Sequence, residues 1–404
     1  PPAPSDRARW TMLLALTGAF ALSQAYRTVA AIMGPPLQRD FGLSPQELGA
    51  FAAIFHFAFG ALQLAMGIGV DMHGVRRTVL VAFPLTIAGA VLSAMAPSFG
   101  WLMLGQALIG VGSAPAFLVC TVFIARQFPA ERFAAVSGTV LAIGGVGMLL
   151  TGTPLAWLIE AWSWRAGFVV LAAMSVLAWL AILRWVREPG AGEHGGAPRQ
   201  SFGDALRGFA RLFTLPHTWG ILALGAVTYA AFVSLRGLWL GPMLVDRHGF
   251  SLVAAGNVAV ALTLLALAGP PLFGRFDPGA ARRRRILVFT LVLVGFFALM
   301  AVGTGPVVDV AASLVLSLLS GFIVLQYSDV RSSYPPETVG RALSLFTMAM
   351  FLGVALMQWL TGVVASAAAA AGWPIYGAVF AAIAAMLALG AAAFAFLPQP
   401  TGRH

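Results

Sequence analysis

The chain has 404 residues, of which 60% are hydrophobic and only 9% are charged. A soluble domain carries roughly 25% charged residues, so ordinary water-soluble classes are excluded and lipid is implied as the main solvent. The formal charge of +10 comes entirely from arginine, and the placement of those arginines between apolar runs excludes a nucleic-acid partner.

A helix needs about 20 apolar residues to cross the bilayer core. In chain order this predicts twelve spans, near 11–33, 46–68, 78–96, 101–123, 135–157, 166–186, 217–240, 252–273, 286–304, 307–327, 342–364 and 373–396. Connections after the even spans carry arginine clusters such as Arg76-Arg77 and Arg282 to Arg285; those after the odd spans are short and carry few. By this reading 19 of the 24 arginines face one side, the positive-inside bias, and both termini are expected in the cytoplasm. The opening residues Pro1 to Arg9 are polar and show no cleavable signal peptide. The single cysteine, Cys120, excludes an intrachain disulfide and any multi-cysteine metal site.

The polar stretch from Arg187 to His217 holds Gly190, Gly192, Gly195, Gly196 and Pro198 and reads as a linker. Three regions follow: 1–187, a linker at 188–216, and 217–404. Within the linker, Phe202, Leu206, Phe209 and Phe213 share one helical face, with Arg207 and Arg211 elsewhere. That pattern fits an amphipathic helix on the cytoplasmic membrane surface, and equally a linker helix resting on the protein.

The two outer regions repeat each other. Gly34-Pro35, Gly42, Gly49, Gly67, Arg76 and Arg77 recur 207 residues later as Gly241-Pro242, Gly249, Gly256, Gly274, Arg283 and Arg284, without insertion. A repeat at half the chain length means two copies of one structural unit. In so apolar a chain, it points to a transporter of two related halves.

Gly67-Ile-Gly-Val-Asp71-Met-His-Gly74-Val-Arg76-Arg77 joins the second and third spans. It resembles the cytoplasmic loop signature of the major facilitator superfamily, G-x-x-x-D-x-x-G-R-R/K, with Val75 inserted before the arginine pair. The copy from Gly274 to Arg285 keeps a glycine, Asp277 and the arginines. The resemblance implies an all-α membrane protein of twelve transmembrane helices in two pseudo-symmetric six-helix bundles. It also implies a loop, with Gly67, Asp71, Gly74, Arg76 and Arg77, that latches the halves in the outward-facing state. Two further motifs are altered. Gln106 stands where the family often has an arginine linked to proton coupling, and Thr153 separates Gly152 from Pro154 in a partial antiporter motif. That segment reads as a packing face with a kink.

A charge inside a membrane helix costs roughly 2.5–3.5 kcal/mol, so it normally faces a cavity or a partner. Arg27 lies in span 1 and Arg236 in span 7, the equivalent first helices of the two halves, which line the central cavity in the superfamily. From helical rise, Arg27 sits about 10 Å from Gly34 and Arg236 about 7.5 Å from Gly241; His56 reaches about the depth of Arg27. Neither arginine has an acid at that depth; Asp309 and Glu160 come nearest, close to the periplasmic boundary. The expectation is a small anion clamped between Arg27 and Arg236, with Tyr26, His56 and Trp239 shaping the pocket and His56 carrying a coupling proton. The alternative is that each arginine satisfies backbone carbonyls or snorkels to the edge. Weaker signals are Gln63, Gln326, Tyr327, Gln358, Trp359 and the methionines 348, 350 and 357. The methionines suit cuprous copper, which two nearby arginines would repel.

No nucleotide loop, metal-ligand spacing or nucleophile–base pair is present, so the reading calls for no enzyme activity and no cofactor. The expected protein is a monomeric secondary active transporter of a small organic anion in a bacterial inner membrane, with protons as the coupling ion. Alternatives are a multidrug or metabolite exporter and a transporter-like receptor or scaffold that does not transport.

Overall fold

The computed structural model describes residues 5–129, 132–187, 202–275 and 281–400. The linker glycines, Asp277 and the side chains of Asp71 and residues 202–207 lie outside the described set. Among the described residues every regular element is helical.

The N-terminal half runs α1 (Asp6–Phe41), α2 (Pro45–Ala61), α3 (Gln63–Ala94), α4 (Phe99–Ser113), α5 (Ala116–Gln127), α6 (Phe133–Leu150), α7 (Thr153–Ala161) and α8 (Trp164–Trp185). After α9 (Phe202–Phe213), the C-terminal half opens with α10 (Pro216–Ser234), which continues through π-helical turns at Leu235–Trp239 and Met243–Arg247 flanking the short α11 (Leu240–Pro242). Then come α12 (Leu252–Gly274), α13 (Arg282–Val302), α14 (Pro306–Leu319), α15 (Ile323–Ser333), α16 (Pro336–Ala370) and α17 (Ile375–Phe396).

Ten helices among the described residues are long and apolar enough to cross a membrane, and they coincide with predicted spans 3 to 12. The bent pair Pro45–Ala61 and Gln63–Val70, turned by 40° at Leu62, makes an eleventh. The first predicted span lies in the 36-residue α1, whose Ser23, Gln24, Arg27 and Thr28 lower its hydropathy, so the count of twelve is not reached by this measure. Most exposed tryptophans lie near helix ends, Trp101, Trp157, Trp162 and Trp373 toward one end of the bundle and Trp185 and Trp219 toward the other, with Trp359 exposed within α16. Indoles concentrate at membrane–water interfaces, which the end positions fit.

The repeat has a geometric counterpart. Gly42 and Gly249 both adopt the left-handed conformation, at φ 64° and 69°, where a side chain would be strained. Ser44 and Ser251, also 207 apart, both cap the helix that follows, accepting from the N–H of Glu47 and Ala254 respectively. Next along each copy, Gly49 packs on the backbone of Gln358 and Gly362 in α16, and Gly256 packs on that of Gly152 and Thr153 at the start of α7. Each half thereby presents a glycine face to the other.

Local breaks fall where sequence puts them. Gly74 has φ 81°, ψ 171° and turns the chain inside α3, between Asp71 and Arg76. The fifth span breaks at Thr151–Gly152, between α6 and α7, just before Pro154. Helix α9 rests on the protein: Leu212 is buried, Gly208 lies against the Arg341 guanidinium, and Phe213 packs on Trp219 at 5.4 Å.

Candidate functional site at the junction of the two halves

The two halves meet mainly at the end remote from the arginine-rich loops. Gly241 sits directly on the carbonyl of Ala31, so that a Cβ there would overlap it. The Gln46 N–H donates to Ser366 Oγ at 2.9 Å, Thr153 Oγ1 to Asn257 Oδ1 at 2.6 Å, and the Val253 N–H to Glu160 Oε1 at 3.1 Å. Deeper in lie the Arg27–Tyr229 bond and one bond from Arg236. The bundle is closed at the remote end.

Arg27 is 6% exposed at the inner limit of this closed zone. Its Nη1 donates to the Tyr229 hydroxyl of α10 at 3.0 Å. Its guanidinium lies over the rings of Phe351 in α16 and Phe59 in α2, at 4.6 and 5.0 Å, and these two rings are 4.5 Å apart. Tyr229 packs edge-on against Phe351 at 5.7 Å. Aromatic faces attract a desolvated cation by about 2 kcal/mol each, which offsets much of the burial cost without neutralising the charge. No carboxylate lies within 4 Å of Arg27 among the described residues, and its Nε finds no acceptor.

His56 is buried on α2, its Nδ1 3.1 Å from the Ala52 carbonyl and its Nε2 without a partner. It lies within electrostatic range of Arg27 and faces the wholly buried amide of Gln358 in α16.

The other predicted residues are placed differently. Arg236 is wholly buried and does not join Arg27 in a clamp. Its Nε donates to the Ala259 carbonyl and Thr263 Oγ1, both at 3.1 Å, and its Nη2 to the Met148 carbonyl at 2.9 Å. It takes the carbonyl-satisfying alternative, because the π-helical turn at Leu235–Trp239 aims it at α12 and α6. Tyr26 points into the N-terminal half, 3.1 Å from Ser175 Oγ on α8. Trp239 points into the C-terminal half: its Nε1 donates to Thr361 Oγ1 at 2.9 Å and its ring meets Tyr376. In the loop, Arg76 donates to the Leu183 carbonyl at 3.2 Å within its own half, Arg77 is exposed, and Gly67 has open space beside it. The Asp71 side chain lies outside the described residues.

Sequence reasoning missed Tyr229, Phe59 and Phe351. Tyr229 had a usable signal. It stands seven residues before Arg236, two helical turns along one face, and is one of only five tyrosines in the chain.

A family model described as Major Facilitator Superfamily matches residues 15–328. The chain is 25% identical over 317 residues to a hexuronate transporter of Bacillus subtilis, covering 74% of each chain. It is 24% identical over 333 residues to a probable sulfoacetate transporter of Cupriavidus necator, covering 78% of this chain and 76% of that one. Among solved structures it resembles a bacterial homologue of the human lysosomal transporter Spinster, in an inward-facing and unoccupied conformation. That likeness has a TM-score of 0.74 at 20% identity and covers 97% of this chain and 96% of the other.

Proposed function

The chain belongs to the major facilitator superfamily, a family of multi-pass membrane transporters and not enzymes, and from that premise we propose that it carries a small organic anion by alternating access. The single observation behind the anion is Arg27. Its charge is buried where the two halves meet, with aromatic faces and one phenol for company and no carboxylate. A carboxylate or sulfonate entering there would gain a charge-assisted bond with little competition. The hexuronate and sulfoacetate relatives carry acids of this kind by name, which supports the same class of substrate.

With α1 as a span and the bent α2–α3 pair as another, the architecture is the twelve-helix arrangement of two bundles. The arginine-rich loops then face the cytoplasm by the positive-inside rule, both termini lie on that side, and the closed end is the outer one. The described conformation is thus inward-facing. Rocking of the halves would open the outer end and close the inner. The loop around Asp71 is the latch for the opposite, outward-facing state. We assign the coupling proton to His56, the titratable neighbour of Arg27.

Uptake into proteoliposomes tests the reading. A hexuronate or sulfoacetate should accumulate and raise the unfolding temperature of the purified protein, while a neutral hexose should do neither. Stabilisation by a neutral sugar or a lipophilic cation, with no effect of any acid, overturns the anion. Uptake by His56→Gln that keeps the pH dependence of the unaltered protein removes the proton from His56.

A further inference from the structure

The fifth span is broken at Thr151–Gly152, and the break leaves a carbonyl in need of a donor. In an unbroken helix the Met148 carbonyl would accept from the N–H of Gly152. Here the Gly152 N–H turns back to Leu149 at 3.1 Å. Met148 O keeps only the Thr151 hydroxyl from its own half, at 3.0 Å. It lies in the last turn of α6, where the helix dipole is negative and a cation is favoured. Arg236 supplies that cation from the other half, donating at 2.9 Å. Its Nε is held meanwhile by Ala259 O and Thr263 Oγ1 on α12, so the guanidinium is aimed across the interface by its own half.

From this geometry we infer that Arg236 is the positioning residue of the outer gate: it caps the broken end of α6 across the junction and holds that end of the bundle shut. The bond to Met148 joins the two halves, so it exists only while they are together at this end. Around it stand the other outer contacts, Gly241 on Ala31 and Gly256 on Gly152 and Thr153. Those two are uncharged; the Glu160 carboxylate, which accepts from the Val253 N–H, is another charged group bonded across this end. When the halves part, Arg236 keeps its α12 anchors and loses the Met148 carbonyl, while a second donor group, Nη1, is already without an acceptor. The arginine is then under-satisfied and must take water or an incoming anion. This assigns a state-dependent role to a residue that sits away from the aromatic cage of Arg27. The inference rests on alternating access and not on the identity of the substrate.

The outer gate can be read directly, without substrate, in a Cys120→Ser background. The Gln46 main-chain N–H donates to Ser366 Oγ across the closed end, which holds the two backbones close, so a Gln46→Cys/Ser366→Cys pair should cross-link under mild oxidation. Arg236→Gln should shift the closed-to-open ratio about tenfold, from loss of one charge-assisted bond. Cross-linking should slow accordingly, and a single cysteine at Asn257 should label faster with a membrane-impermeant maleimide from outside. Arg236→Lys should recover part of the closure. Unchanged cross-linking and labelling in folded Arg236→Gln overturns the proposal and leaves the arginine a structural member of its own half. If Arg236→Gln does not fold, Thr263→Val decides instead, because it keeps the charge and removes one anchor: slower cross-linking supports the gate, and wild-type cross-linking overturns it. Failure of the unaltered protein to carry any acid, with these gate results intact, would remove the anion reading alone.

Discussion

Arg27 and Arg236 occupy equivalent first spans of the two halves, and both are almost wholly buried. Their surroundings differ in kind. Arg27 is held by two ring faces and a phenol, whereas Arg236 is held by two main-chain carbonyls and a hydroxyl. Carbonyls and hydroxyls accept hydrogen bonds along fixed directions, and here they occupy Nε and Nη2 and leave Nη1 without an acceptor. Ring faces attract the charge diffusely and leave the fork open. The same side chain thus meets ring faces in one half and fixed acceptors in the other. A third arginine, Arg247 at the end of the π-helical run, takes the remaining option, a carboxylate: Asp309 Oδ2 accepts from it at 3.2 Å and pairs with His248 Nε2 at 2.8 Å.

The sharpest way to break this contrast is to truncate Arg27. Arg27→Ala should lower uptake efficiency by about a hundredfold, the scale for removing one side of a buried charge pair between protein and ligand. It should leave thermal stability nearly unchanged, since no buried carboxylate is left behind. Arg27→Lys keeps the charge without the fork and should fall between. Transport assays and unfolding curves on the same preparations check both statements. An Arg27→Ala protein that transports normally would make the aromatic cage a packing device.

Asp309 should behave in the opposite way. It is wholly buried beneath Arg247 and His248, and breaking a buried pair costs about 3 kcal/mol. Asp309→Asn should therefore lower the unfolding temperature by several degrees. Substrate affinity, measured by stabilisation with the acid, should change little. A smaller but clean contrast lies in the repeated glycines. An added Cβ at Gly241 would overlap the Ala31 carbonyl of the other half, which cannot give way. At its partner Gly34 the Cβ would meet the flexible end of Leu48 at 3.3 Å and, at an ordinary contact distance of 3.6 Å, Pro242 of the other half. Gly241→Ala should disfavour the closed end, remote from the arginine-rich loops, by about 1–3 kcal/mol, the range for overpacking, and Gly34→Ala by less. Equal effects in the Gln46–Ser366 cross-linking assay would erase the asymmetry between the halves.

What could be read from sequence was whatever the local backbone demands. Gly42 and Gly249 take a left-handed turn and Gly74 the break within α3, each at a positive φ that disfavours other residues, while Gly152 with Pro154 marks the end of α6. The apolar runs fixed ten spans for the same local reason. The depth of Arg27 and its nearness to His56 followed from helical rise. Side-chain direction did not, because rotation about the helix axis is set by neighbours distant in sequence. Tyr26 and Arg27 are adjacent, yet one reaches Ser175 in its own half and the other Tyr229 in the opposite half. Arg236 was further displaced by a π-helical turn, which carries one extra residue per turn and re-aims everything beyond it. A glycine in Gly237 marks the place without predicting that geometry.

The finest test of the contrast is the single oxygen that distinguishes the cage of Arg27 from a purely aromatic one. Tyr229→Phe removes the hydroxyl that accepts from Nη1 at 3.0 Å and retains the ring against Phe351. If the phenol merely occupies the guanidinium until an anion arrives, its loss removes a competitor and KM should fall by about two- to fivefold with little change in maximal rate. If the phenol positions the guanidinium for the anion, KM should rise by a similar factor. Both shifts correspond to a net hydrogen bond of about 0.5–1.5 kcal/mol. The first outcome is expected, because two ring faces already fix the plane of Arg27 at 4.6 and 5.0 Å and leave the hydroxyl little left to orient.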